Sequence, residues 1–279
     1  MEQWLTDNKL PIGKWIKNAI DYMLDHGAFL FDSFADGLKF LIEGFSAVLL
    51  WFPSLAVVLF LTIAVYFLHR SLKLAAMVVA GLLLVINLGY WTETVHTFTL
   101  ILFATAICIL VGVPLGIAMA HRPVLAKALR PLLDLMQTIP TFVYLIPTMI
   151  MFGLGVVPGL ISTAIFALPA PIRLTSLGIS SVPKALIEAG EAFGGTKQQI
   201  LWKIEIPHAM PNIMAGVTQC IMLSLSMVVI AALVGAPGLG VPVVRALNTV
   251  NIAKGFEAGL AIVIVAILLD RVFKIRTGS

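Results

Sequence analysis

A chain of 279 residues with 60% hydrophobic and 11% charged side chains has too few polar groups to cover a water-soluble surface, which excludes an ordinary soluble globule and points to an integral membrane protein. The net charge of +4 is unevenly placed, since residues 1–46 hold four Lys against seven Asp/Glu, a net of −3, and the remainder carries +7. That split is not a nucleic-acid patch; it bears on which side of a membrane each loop occupies.

At the N-terminus, charges run throughout the first 40 residues and leave no unbroken apolar core, so no cleavable signal peptide is expected. From Trp15 to Phe45, Ile16, Ile20, Met23 and Leu24 recur at helical spacing against Lys17, Asp21 and Asp25, and Phe29, Leu30 and Phe34 continue opposite Asp32 and Asp36. This predicts one or two amphipathic helices. Two placements stay open, on the outer membrane face or against the outer loops of a helix bundle.

Seven apolar stretches follow, at roughly 47–68, 72–90, 95–120, 133–153, 156–174, 211–234 and 256–273, each near the ~20 residues that a helix needs to cross ~30 Å of hydrocarbon. A lipid-facing loop or open sheet would leave backbone groups unpaired, so the spans are expected to be helical and the fold class all-α. Cys108 and Cys220 lie inside apolar runs far apart in sequence and read as small core residues rather than a disulfide or metal site. The uncharged run Gly153-Leu154-Gly155-Val156-Val157-Pro158-Gly159 predicts a tight outer hairpin. Around it Pro140, Pro147, Pro169 and Pro171 predict kinked helices, either lining a pathway or simply tolerated in the bundle.

The long polar interruption, residues 180–208, predicts a helix-turn-helix. Ser180 or Ser181 offers a capping hydroxyl and Pro183 a first-turn proline for a helix to Phe193. Gly194-Gly195 ends it, Thr196-x-x-Gln199 fits a capping box for a second helix, and Pro207 stops that helix. If this loop is cytoplasmic, alternation puts twelve basic residues inside (Arg70, Lys73, Arg122, Lys127, Arg130, Arg173, Lys184, Lys197, Lys203, Arg271, Lys274, Arg276) against Arg245 and Lys254 outside. The N-terminus is then outside and the C-terminus cytoplasmic.

Within that loop stand Glu188-Ala189-Gly190, then Gly194, then Ile204-Glu205-Ile206-Pro207. The spacing resembles the Glu-Ala-Ala, Gly, Ile-x-Leu-Pro loop with which ABC-importer permeases touch their ATPase. It departs at Gly190, where Ala is usual, and at Ile206, where Leu is usual. The run from Asp134 to Gly155, the segment Gly235-Ala-Pro-Gly-Leu-Gly240, and Gly255 to Ile262 leading to Leu269-Asp270-Arg271 are similar to importer permeases for glycine betaine, choline and proline. The resemblance implies a MetI-like five-helix core within a permease domain at 91–279, after an extracytoplasmic tail at 1–46 and two accessory helices at 47–90. It also implies a bacterial inner-membrane importer: a second copy of the permease, two cytoplasmic ATPase subunits and an extracytoplasmic substrate-binding protein. ATP and Mg would bind the ATPase, with no cofactor on this chain. Transport would proceed by alternating access.

Gln137, Thr138, Thr141, Phe142, Tyr144 and Asn248 are candidate pathway residues. Aromatic faces, including Trp91 and Phe152, attract quaternary ammonium groups, but interfacial anchors and helix-bridging polar groups have the same composition. Histidines at 26, 69, 96, 121 and 208 make no His-Glu-x-x-His site and no P-loop occurs, which argues against an enzyme or a self-contained ATPase. Two other transporter readings remain, a permease for another small polar solute such as an amino acid, and an ion-coupled secondary transporter. The second would want an intramembrane charge, and Asp134 and Asp270 read more simply as interface pairs beside basic residues.

Overall fold

The structure is a computed structural model that describes residues 11–273. Lys274 and Arg276, and the first ten residues of the tail, fall outside it. All regular structure among the described residues is helical.

Helix α1 (Ile12–Trp51) is one continuous helix of 40 residues. Its second half packs on the bundle through buried Ile42 and Ser46, with Phe31 edge-on to Phe152 and Phe45 edge-on to Phe103, both at 5.9 Å. In its first half Ile16, Met23, Phe29 and Leu30 stay exposed. The predicted span 47–68 begins later than expected: residues 47–51 finish α1, Pro53 interrupts, and α2 (Ser54–His69) leaves at 102°. Proline cannot donate the next helical bond, so the chain turns there. Helix α3 (Leu72–Asn87) starts on Ser71, whose hydroxyl accepts from Leu74 N–H at 3.4 Å, and lies against α2.

Among the described residues four helices are long and apolar enough to cross a membrane unbroken. They are α4 (Trp91–His121), the near-continuous pair α7 (Val156–Ala167) and α8 (Pro169–Ser180), the 36-residue run Lys197–Ala232, and α13 (Ile252–Phe273). Counting each bent pair as one span gives up to six, and α3 is shorter at 16 residues.

The predicted straight span 133–153 is broken. Helix α5 (Pro123–Thr138) stops, Ile139 is extended (φ −64°, ψ 130°), and a 3-10 turn (Thr141–Tyr144) leads into α6 (Leu145–Phe152), with a 107° bend between the two arms. A residue before proline avoids the helical region, so Pro140 places the break at Ile139. Tyr144 bridges it, its hydroxyl donating to the Met136 carbonyl. The predicted hairpin 153–159 is shorter than expected. Gly153 (φ +72°) and Gly155 (φ +133°) make the turn, and Val156 already begins α7.

Helix α8 sits between α4 and the long helix α11 (Ile206–Ala232), and small residues permit the approach. A Cβ on Gly116 of α4 would lie 2.6 Å from Thr175 Cβ and 2.7 Å from the Ile172 carbonyl oxygen. Those atoms belong to rigid parts of α8. In a bilayer helices gain little from burying apolar surface, and close backbone approach between small residues carries much of the association. Gly116→Val is therefore expected to destabilise the protein by about 1–3 kcal/mol or more, read as a lowered melting temperature in detergent. Around this contact α12 (Gly240–Asn248) and α13 complete the core, with Ile221, Leu225, Leu239, Ala261 and Val265 in one buried cluster. Cys108 and Cys220, distant in sequence, share a second buried cluster with Ala164 and Ala167 as free thiols, Cys108 Sγ donating to the Ala164 carbonyl at 3.3 Å.

Candidate functional site

The polar loop forms two helices at an angle. Helix α9 (Lys184–Ala192) starts from Pro183 and has no side-chain cap; the Ser181 hydroxyl donates instead to Gly178 O at 2.7 Å, so neither serine serves as the expected cap. At its end Phe193 N–H donates to Ala189 O (3.1 Å), Gly194 N–H to Glu191 O (2.8 Å) and Gly195 N–H to Gly190 O (3.0 Å). Gly194 has φ +73°, the left-handed conformation that glycine adopts without a Cβ penalty.

Helix α10 (Lys197–Ile200) opens with the predicted capping box. Thr196 N–H donates to Gln199 Oε1 at 2.8 Å, and Gln199 N–H donates to Thr196 Oγ1 at 3.3 Å. Contrary to expectation, Pro207 does not end this helix. A π turn (Leu201–Glu205) follows, in which Ile206 N–H reaches back to Leu201 O, and α11 runs on through Pro207. One turn of wider winding makes room for a proline ring that would otherwise clash with the preceding turn.

The seven motif residues take distinct positions. Glu188 and Ala189 are exposed on α9, which buries none of its residues. Gly190 faces inward, where a Cβ would meet Ile204 Cδ1 at 2.6 Å, so this glycine lets α9 lie close on the π turn. Ile206 joins the cluster of Ile179, Ala209 and Ile213 at the base. Pro207 is exposed and borders a groove between α11 and α13. The π turn also carries Glu205, buried at 7% exposure, whose two oxygens lie 2.9 and 3.1 Å from His121 Nε2 at the end of α4. A carboxylate only accepts, so Nε2 donates. His121 thus ties α4 to the loop.

Three features went unnoticed in the sequence. Phe193 is 93% exposed and Trp202 68% exposed, with Leu186 also outside, so apolar side chains flank Glu188 where a solvated loop would carry polar ones. The signal was a Phe beside Gly-Gly and a Trp inside a polar stretch. The groove of about 650 Å³ between α11 and α13, lined by Met214, Thr218, Gln219, Met222 and Asp270, was also missed. Gln219 stands exposed in mid-helix, and the only trace of it was one amide within a long apolar run.

The candidate pathway residues do not join that groove. Gln137, Thr138, Thr141 and Phe142 sit at the α5–α6 bend, Tyr144 is buried in it, and Asn248 ends α12. Asp134 pairs with Arg173 at 2.6 Å across α5 and α8, as an interface pair would. Among the described residues Asp270 pairs only with its neighbour Arg271, at 4.0 Å, and it lines the groove.

The half of the chain that holds this loop and groove, residues 112–275, matches the family described as binding-protein-dependent transport system inner membrane component. The chain belongs to that family. It is 45% identical over 266 residues to the glycine betaine transport system permease protein OpuAB of Bacillus subtilis (strain 168), covering 95% of this chain and 93% of that one. It is 43% identical over 263 residues to the glycine betaine/proline betaine transport system permease protein ProW of Escherichia coli (strain K12), covering 94% of this chain and 74% of that one. Among solved structures, an inward-facing MetNI methionine ABC transporter matches 64% of this chain and 89% of its own with a TM-score of 0.59 at 22% identity, which establishes the MetI-like fold.

The motif that the loop resembles would place alanine at position 190, and the structure can accept one. The atom that opposes a Cβ at position 190 is the end of a flexible Ile204 side chain, and Ala favours a helix over Gly by roughly 1 kcal/mol. Gly190→Ala is expected to shift stability by less than about 1 kcal/mol and to leave transport near normal, as read by melting temperature and uptake.

Proposed function

We propose that this chain is the membrane-spanning subunit of an ATP-driven importer for glycine betaine or a closely related methylated ammonium solute. The observation that carries the reading is the exposed helix α9, seated on the π turn through Gly190 and Ile204 and bearing Glu188, Ala189 and Phe193 outward. A helix without a buried face, closed at its end by the Gly194–Gly195 turn, suits insertion into a partner and transmission of its motion. The partner is a cytoplasmic ATPase dimer that holds ATP and Mg. The relatives' names supply the cargo, since both permeases specify glycine betaine, one with proline betaine as a second solute.

Two copies of the chain form the pathway in this reading. Gln219 and Ser226 lie exposed on an otherwise apolar face of α11. An unpaired amide facing lipid costs several kcal/mol, so the face suits a second copy and a water-filled path between them. Residues 1–46 and 47–90 then act as a tail and two accessory helices around the domain 91–279, with the N-terminus outside and the loop inside.

The test is uptake of labelled glycine betaine into proteoliposomes holding the permease, its ATPase and its binding protein. Uptake is expected only with internal ATP and Mg. Uptake by this chain alone, driven by a sodium or proton gradient, would overturn the proposal in favour of a secondary transporter. ATP-driven uptake stimulated by an amino acid and not by betaine would keep the importer and replace the cargo.

A further inference from the structure

Between the accessory helices and the core lies a hollow away from the loop, which shares one lining residue, Phe273, with the α11–α13 groove. Val57, Leu61 and Val65 line it from successive turns of α2, so it follows that helix for about 12 Å. Val78 and Leu82 of α3 and Val272 of α13 form other walls, and its volume is about 210 Å³. Close-packed interiors leave few voids larger than a water molecule. Apart from Thr94 and Trp91 the lining is aliphatic or Phe, so the hollow offers water too few polar partners. The material that surrounds these helices in a membrane is lipid hydrocarbon.

An acyl chain gains no hydrophobic free energy on leaving other acyl chains for such a site. Retention needs contact with the walls together with an anchor for the headgroup, and one end of the hollow supplies it. His69 Nε2 donates to the Val272 carbonyl at 2.8 Å and joins the ends of α2 and α13. Arg70 and Lys73 stand exposed beside this junction, and neither has an acidic partner within 4.0 Å among the described residues. Arg70 is one of two non-glycine residues with positive φ among the described residues, at +50°, as the chain turns sharply from α2 toward α3. Phe273 at this end of α13 borders the same groove as Pro207, so the basic pair lies at the end of the bundle that carries the loop. Basic side chains at that end, between membrane helices, select anionic headgroups.

We propose that the hollow seats one acyl chain of an anionic phospholipid whose phosphate is held by Arg70 and Lys73. The site joins the accessory helices to the core through lipid as well as protein, and it does not depend on the identity of the transported solute. The experiment is native mass spectrometry of the full chain released from nanodiscs containing equal phosphatidylglycerol and phosphatidylethanolamine. One phosphatidylglycerol per chain is expected to survive. The double variant Arg70→Gln/Lys73→Gln, which changes only exposed side chains, is expected to lower the retained fraction roughly tenfold. Val78→Phe, which fills the hollow, is expected to abolish retention. A wild-type chain that emerges without lipid would overturn the proposal, as would retention unchanged in both variants. Equal retention of phosphatidylethanolamine by the wild type would overturn the headgroup assignment, and a cross-link from position 61 to a second copy would give the hollow to a protein partner instead.

Discussion

Gly194→Pro is expected to reduce ATP-driven uptake at least about tenfold while the protein still inserts and purifies. Proline fixes φ near −65°, whereas Gly194 adopts +73° and donates its N–H to Glu191 O at 2.8 Å. Both features are lost together, and proline at a position whose φ and N–H bond it cannot keep destabilises by more than the ~1 kcal/mol that a compatible proline would contribute. The transmembrane helices do not depend on this turn. The strain therefore falls on the angle between α9 and α10, which sets where Glu188 and Phe193 are presented. A docking geometry disfavoured by ~1.4 kcal/mol already loses a factor of ten in partner occupancy. Glu188→Lys complements this variant, because Glu188 is exposed and makes no hydrogen bond or ion pair within the described residues. It should leave melting temperature unchanged and uncouple ATP hydrolysis from uptake. Normal transport by both variants would remove the docking role from this loop. Loss with Gly194→Pro alone would move the contact surface from Glu188 toward Phe193 and Trp202.

Features set by neighbouring residues were legible in the sequence. The Thr196–Gln199 capping box and the glycine stop at Gly194 need only a few adjacent residues, and both are present as expected. The break at Pro140 was expected as a kink. Its sharpness depends on Tyr144 folding back to Met136, a contact across the break that periodicity does not encode. Pro207 misled because a proline inside a helix reads as a stop, and the π turn before it is visible only in the backbone. Gly112 and Gly116 form a Gly-x-x-x-Gly pair that could have located the α4–α8 contact, since a Cβ on either would strike Pro171 or Thr175. The Gly190 contact with Ile204 and the Glu205 pairing with His121 join residues 14 and 84 positions apart, and no local pattern announces either.

Removing His121 is expected to cost more stability than removing Glu205. The Glu205 carboxylate is buried at the base of the loop, while 44% of the His121 side chain remains exposed. His121→Ala strands a buried carboxylate without its donor, and leaving a buried acceptor unpaired costs about 1–3 kcal/mol, more when it is charged. Water reaches the site from the His121 side, so about 2–3 kcal/mol is the expected loss. Glu205→Ala removes the charge that was costly to bury and leaves an imidazole that solvent can satisfy, for a loss nearer ~1 kcal/mol. The double variant should therefore melt well above His121→Ala alone, a non-additivity that marks two residues acting as one unit. The pair also joins the end of α4 to the turn beneath α9, through Glu205 beside Ile204. Glu205→Ala should accordingly lower the ratio of solute moved to ATP hydrolysed by more than its small effect on melting would suggest, and Glu205→Gln, which still accepts from His121 Nε2, should restore part of that ratio. Equal destabilisation by the two alanine variants would mean that solvent already satisfies the carboxylate, and an unchanged ratio in Glu205→Ala would leave the π turn as a packing device without a part in coupling.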